Sequence, residues 1–208
     1  MTNVLYVKSN PKADETSYSA RLANSFIEAY KEKNPTAEVT TLDLYNESIP
    51  VIDQEVLTAW GKLAEGAELT ASESTKVTRL GELVDQFLAA DKVVFSAPMW
   101  NFGFPPLLKA YIDAISVAGK TFKYTENGPV GLAGDKQVVL LEARGGVHSE
   151  GPTAAMQHTA SYLEVVMGFI GVKDFNVIVT EGMAQAPAEA EVILEKATAK
   201  AKELAASF

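Results

Sequence analysis

The stretch Val93-Val94-Phe95-Ser96-Ala97-Pro98, followed by Met99-Trp100-Asn101-Phe102-Gly103-Phe104-Pro105-Pro106 and then Leu107-Leu108-Lys109-Ala110-Tyr111-Ile112-Asp113, decides the fold. Its opening five residues form the most apolar strand-like run in the chain, and Pro98 stops it. The proline- and glycine-rich segment from Met99 to Pro106 reads as a loop. Beyond it, Leu107, Leu108, Tyr111, Ile112 and Ile115 recur at helical spacing. A strand that feeds a helix through a short loop is half of a βαβ unit, and such units build parallel sheets.

The same alternation continues in both directions. Toward the N-terminus, Val4 to Val7 reads as a strand, and Leu22, Phe26, Ile27 and Tyr30 mark an amphipathic helix ending before Asn34-Pro35. A strand from Val39 to Leu44 follows, then a break at Pro50. Helices are predicted over about Gln54 to Glu65 and Glu73 to Ala90, the second with a stripe of Leu80, Leu83, Val84, Phe87 and Leu88. Toward the C-terminus, Thr121 to Leu132 holds Glu126-Asn127-Gly128-Pro129 between short extended pieces, a hairpin-like excursion. Gln137 to Leu141 is the fourth main strand. Gly145-Gly146 opens a loop before a helix near Thr153 to Ile170, which would contain His158. Phe175 to Val179 is the last strand, and Pro187 sits in the first turn of a terminal helix reaching Leu204. No linker or repeat interrupts the chain, so residues 1–208 read as one α/β domain. Five strands with intervening helices fit a flavodoxin-like doubly wound parallel sheet, order 2-1-3-4-5, with helices on both faces. In such sheets ligands sit beyond the carboxyl ends of the strands, at the topological switch.

Composition narrows the function. The chain has 208 residues, no cysteine and a net charge of −9 from 18 basic and 27 acidic side chains. Without cysteine there is no disulfide framework and no thiol chemistry. The acidic balance, with no basic cluster, disfavours nucleic acid and anionic membrane as partners. No run approaches the ~18 apolar residues of a membrane span, and the short apolar stretch near the N-terminus does not resemble a signal peptide. A cytoplasmic protein is the expectation. Two histidines, with no histidine–carboxylate spacing, make a metal site improbable. Any phosphate must be held by local donors rather than by bulk charge.

Three loops at neighbouring strand ends have unusual compositions. The first runs from Ser9 to Ser17-Tyr18-Ser19, where a helix begins, so hydroxyls and helix-terminal N–H groups can surround a phosphate. Ser17 or Ser19 is equally well read as a plain N-cap. Neither a GxxxxGK[ST] nor a GxGxxG motif follows the first strand, and no GxSxG elbow is present. The second is the aromatic loop at Met99 to Pro106, suited to a planar aromatic ligand, to packing on the next helix or to a dimer contact. The third, Ala143-Arg144-Gly145-Gly146-Val147-His148, lets backbone N–H groups approach a ligand closely, although Gly-Gly alone also marks ordinary turns.

On the segments SAPMWNFGFPPLLKAYID (Ser96 to Asp113), GKTFKYTENGPVGL (Gly119 to Leu132) and ARGGVH (Ala143 to His148), the chain resembles the FMN-dependent NAD(P)H azoreductases, close to the flavodoxin-like quinone reductases. The resemblance runs from the first strand to the terminal helix. It implies noncovalent FMN, NADH or NADPH as co-substrate, a homodimer with FMN at the subunit interface, and ping-pong reduction of azo dyes and quinones. By motif, Ser9, Ser17, Tyr18 and Ser19 are similar to the phosphate loop. Met99, Trp100, Asn101 and Phe102 resemble the stretch along the isoalloxazine, and Ala143, Arg144, Gly145 and Gly146 the loop at its pyrimidine edge. Tyr124 and His148 resemble residues of the acceptor pocket. Trp100 stands where related sequences often have Tyr, and Ala143 replaces a common hydroxyl residue.

The residues leave several roles open. Backbone N–H groups near Gly145 and Gly146, with the Asn101 amide, are fixed donors of the oxyanion-hole kind. Arg144 either neutralises a ligand or joins an ion pair. His148 in a glycine loop is more often structural or exposed than catalytic. Two other functional classes stay in view beside the reductase: a quinone reductase with incidental azo activity, and an FMN-containing electron carrier. A cofactor-free interaction protein is a further rival, which a colourless protein indifferent to FMN would favour.

Overall fold

The computed structural model describes residues 2–208. Its sheet contains β1 (Asn3–Lys8), β2 (Glu38–Asp43), β3 (Lys92–Pro98), β6 (Gln137–Arg144) and β7 (Asp174–Glu181). They pair in the order β2-β1-β3-β6-β7, every neighbour parallel. Counting only these strands, the order is 2-1-3-4-5, as the alternation predicts. A separate antiparallel hairpin joins β4 (Phe122–Thr125) to β5 (Gly128–Gly131). The Gly128-Pro129 pair opens β5 rather than forming the turn, which is made by Glu126 and Asn127.

Both faces of the sheet are covered, which explains why the central strands read as continuous apolar runs rather than as alternating ones. Val93, Phe95, Val138 and Leu140 point into a core shared with α3 (Ala71–Ala89), α4 (Pro106–Ile115) and α5 (Ala160–Phe169). Val56 of α2 (Gln54–Glu65) joins the same cluster. Val94, Val139 and Leu141 point the other way, against Leu22, Phe26 and Tyr30 of α1 (Tyr18–Lys33) and Leu194 and Ala197 of α6 (Ala190–Ala205). Burying a large aliphatic side chain contributes about 1.5–3 kcal/mol, so these two layers supply the main driving force.

Local chemistry sets the helix ends. Asp53 caps α2 through a 3.0 Å bond from the Val56 amide, and Gly66, at φ +71°, ends it in the left-handed conformation. Thr70 and Glu73 form a reciprocal capping box on α3.

Two predicted helices are shorter than expected. Residues Gly151–Met156 form a 3-10 turn, then Gln157 and His158 run irregularly before α5 starts at Ala160. His158 is therefore outside any helix. Its amide donates to the Phe102 carbonyl at 2.8 Å, a tertiary bond that removes it from a helical ladder. Pro187 begins a 3-10 turn through Glu189, ahead of α6. Conversely, β6 runs three residues past Leu141, so Ala143 and Arg144 lie on a strand rather than in a loop. No helix among the described residues is long and apolar enough to cross a membrane.

Candidate active site

Above the carboxyl ends of β1, β3 and β6 lies a cleft of about 240 Å³. It sits at the switch point, where the chain leaves β1 for β2 on one side and β3 on the other.

One wall is the start of α1. Ser17 is the N-cap, its Oγ accepting from the Ala20 amide at 3.2 Å and from Asn10 Nδ2 at 2.8 Å. With both acceptor positions used, its own hydrogen goes to Ser19 Oγ, 3.2 Å away. The Ser19 hydrogen is then left for the cleft. The first intrahelical bond runs from Arg21 N to Ser17 O, so the Tyr18 and Ser19 amides have no acceptor within the helix. Three donors thus converge on a helix N-terminus with its favourable dipole. Lys12 also lines the cleft and makes no ion pair among the described residues.

The second wall is the loop after β3. Met99 N donates to Ala143 O at 2.8 Å, which fastens this loop to β6. Trp100 and Gly103 exchange backbone bonds of 2.9 and 3.0 Å around a two-residue turn. Asn101 (φ +48°) and Phe102 (φ +68°) are the central residues, both left-handed, as this turn type demands. Asparagine tolerates that region. Phenylalanine does not, and the conformation costs about 1–2 kcal/mol. It is held by the His158 bond to the Phe102 carbonyl and by edge contact between the Phe102 and His148 rings, 5.8 Å between centroids. Trp100 remains 38% exposed and lines the cleft, with the Tyr45 ring against it edge-on.

The third wall combines the ends of β6 and β7. Ala143, Arg144, Gly145, Met183 and Ala184 line it. Gly145 O accepts from Ala184 N at 2.9 Å, and Arg144 O from Gly182 N at 3.1 Å. A Cβ on Gly146 would lie 3.1 Å from His148 Nε2, so the His148 ring packs where a side chain would otherwise be.

Several predicted residues occupy unexpected places. Ser9 is fully buried and donates its hydroxyl to Ser96 O at 2.7 Å. It does not line the cleft. The Arg144 guanidinium is 3% exposed and turned toward carboxylates, Glu142 at 2.8 Å and Glu181 at 3.5 Å. Of the two readings of this residue, the ion pair holds for the side chain, and only its backbone is left for a ligand. Tyr124 stands on the hairpin, 75% exposed and outside the cleft lining. Ser17, Tyr18, Ser19, Met99, Trp100, Ala143, Arg144 and Gly145 do come together, whereas Asn101, Phe102, Gly146 and His148 lie outside the cleft lining. Sequence reasoning missed Asn10, Lys12, Thr16, Pro98, Met183 and Ala184. Asn10 was signalled by its position directly after the first strand, and Met183-Ala184 by following the strand beside β6.

The sheet order, the cleft at the switch point and the capped helix start define a flavodoxin-like protein. Consistently, the model of a family described as flavodoxin-like fold matches residues 2–205. The FMN-dependent NADH:quinone oxidoreductase of Geobacillus kaustophilus is 53% identical, with all of both chains covered. The azoreductase crystal structure from Bacillus anthracis str. Sterne superposes with a TM-score of 0.94 at 43% identity, again over all of both chains. A second B. anthracis structure, an FMN-dependent NADH-azoreductase in complex with FMN, gives a TM-score of 0.93 at 32% identity over 100% of this chain and 99% of that one. The chain belongs to this flavodoxin-like family of FMN-dependent NADH:quinone oxidoreductases and azoreductases.

Proposed function

We propose that the chain is an FMN-dependent NADH oxidoreductase that reduces quinones and azo compounds. The observation that carries this reading is the convergence of the Ser19 hydroxyl and the Tyr18 and Ser19 amides at one end of a cleft whose far wall is the Trp100 indole. The donor set fits a phosphate in a protein of net charge −9, because hydroxyls and amides need no cationic patch. The flat wall and the Gly145 backbone fit an aromatic ring system. FMN, when bound there, supplies the two-electron hydride chemistry, and the protein supplies position and electrostatics.

The residues divide that work. Ser17 orients Ser19, and Asn10 orients Ser17. Met99 and Trp100 provide the apolar wall. The amides of Gly145 and Gly146 are fixed donors for negative charge that develops on a bound ring. Phe102 and His148 pack against each other just beyond Trp100 and Gly146. A nicotinamide and a planar acceptor both need access to the same ring face at contact distance, about 3–3.5 Å, and so must take turns. Parallel lines in double-reciprocal plots are the expected result; intersecting lines with a complex holding NADH and acceptor together would overturn it.

Replacing both hydroxyls, Ser17→Ala with Ser19→Ala, is expected to weaken FMN by about 1–3 kcal/mol, since the Ser19 hydroxyl contributes a hydrogen bond toward a charged group and Ser17 orients it. Riboflavin, which has no phosphate, should be affected far less in the same titration. Equal losses for the two would assign these serines to helix capping alone.

The reading includes a homodimer. Trp100, which lines the cleft, and Phe102, two residues further on, are exposed, and Leu57, Trp60 and Leu63 of α2 are exposed beside a largely apolar groove. Exposed apolar clusters of this kind are what subunit contacts cover. Sedimentation at micromolar concentration should give a dimer, and a fully active monomer would refute this part. The absence of cysteine suits a cytoplasmic location.

A further inference from the structure

Behind the third wall lies a buried cluster of charges that the site described above does not use. Glu142 is fully buried and Arg144 is 3% exposed, joined at 2.8 Å between Oε2 and Nη2. Glu181, at the end of β7, approaches Arg144 Nη1 at 3.5 Å. Its carboxylate also accepts from two backbone amides of the next loop, His148 N at 2.9 Å to Oε2 and Ser149 N at 3.3 Å to Oε1. One carboxylate therefore spans the end of β7, the end of β6 and the chain beyond Gly146.

We infer that Glu181 is a positioning residue: by holding the His148 and Ser149 amides it fixes the His148 ring between Gly146 and Phe102 and so shapes the mouth through which the acceptor enters. The ring touches both neighbours. It packs at 3.1 Å on the position where a Gly146 Cβ would be and meets the Phe102 ring edge-on at 5.8 Å. The ring's only hydrogen bond among the described residues is a long one, 3.4 Å between Nδ1 and the Thr153 carbonyl. Its place is thus set mainly by its backbone, which Glu181 holds at the His148 and Ser149 amides and the Thr153 hydroxyl holds at the Val147 carbonyl, 2.7 Å away. Phe102 is in turn held left-handed by contacts that include this ring. Loss of the carboxylate would loosen both residues together.

A carboxylate is needed for two reasons. Two oxygens are required to meet two amides and a guanidinium at once, and an acceptor-only group cannot turn a donor toward the amides. Glu181→Gln keeps the shape but offers one acceptor oxygen and an NH2 group. It also leaves the Glu142–Arg144 pair intact and charge-neutral, so the fold is expected to survive.

This inference rests on the proposed reductase reading, and its test separates the two. Hydrogen exchange on the flavin-free protein reads the clamp without any chemistry, and steady-state kinetics with a quinone read the mouth. In Glu181→Gln the His148 and Ser149 amides should exchange at least tenfold faster. The KM for a bulky quinone should rise about tenfold while kcat changes less than twofold and the FMN Kd changes less than threefold. Glu181→Asp, which keeps both oxygens on a shorter arm, should fall between the two. Unchanged exchange at His148 and Ser149 would overturn the inference, and so would faster exchange with an unmoved KM. Failure of the wild-type protein to bind FMN would instead remove the reductase reading, while the exchange result would still decide whether the clamp exists.

Discussion

Arg144→Met should destabilise the protein by about 3–5 kcal/mol, the cost of leaving a buried carboxylate without its partner. Glu142 is fully buried, and its only side-chain bond among the described residues is the 2.8 Å contact from Arg144 Nη2, Oε1 having no partner among them. Methionine fills much of the volume but cannot compensate the charge. Glu181 suffers less, because it keeps the His148 and Ser149 amides and is partly exposed. Adding Glu142→Leu to Arg144→Met should restore most of the loss, since a buried ion pair replaced by apolar groups of similar volume is often near neutral. Urea midpoints at fixed protein concentration measure both, with the concentration held constant because dimerisation would shift them. A single variant within about 1 kcal/mol of wild type would show that water reaches the pair. If the guanidinium served a ligand instead, Arg144→Met would change affinity and leave stability untouched.

Gly131→Ala should be the most disruptive of the glycine substitutions. A Cβ at Gly131 would lie 2.2 Å from both Gly171 N and Ile170 C, which are backbone atoms and cannot rotate away. The approach is reciprocal, since Gly171 itself adopts φ +105° and presents its own bare backbone to Gly131. This is where β5 meets the end of α5, and Ala133 N donates to Ile170 O at 2.8 Å close by. Relieving the clash means lifting the hairpin off α5. The expected loss is about 3 kcal/mol or more, at the upper end for an overpacked site. For a domain of this size that lowers Tm by roughly 6–12 °C. Gly168→Ala in α5, where nothing lies within 4 Å, is the control and should be neutral or stabilising by up to about 1 kcal/mol. Equal melting temperatures for Gly131→Ala and wild type would mean that the two backbones are not in contact.

These two sites also show what the amino-acid pattern conceals. The layers of the sheet were legible because burial on both faces makes the strands continuous apolar runs. The last three residues of β6 were not. Glu142 and Arg144 look like loop residues until their mutual neutralisation inside the protein is seen. His158 continued an apparently helical stretch, yet its amide was claimed by a carbonyl 56 positions earlier in the chain, a pairing no local pattern encodes. At the cleft, the hydroxyl-rich helix start was readable in kind but not in assignment. Ser17 and Ser19 face the site, whereas Ser9 spends its hydroxyl on Ser96. The Gly131–Gly171 contact joins residues forty apart, and their glycines gave no sign of which backbone each would meet.

In the function proposed above, FMN is held at the α1 start and carries reducing equivalents from NADH to an organic acceptor. The most direct test is the visible absorbance of the purified, FMN-loaded protein during anaerobic addition of NADH, followed by one equivalent of a quinone. The yellow flavin bands should bleach on NADH alone and return on adding the quinone, with acid releasing FMN rather than FAD. A protein that stays colourless in excess FMN, or whose bound flavin NADH does not bleach, would contradict it.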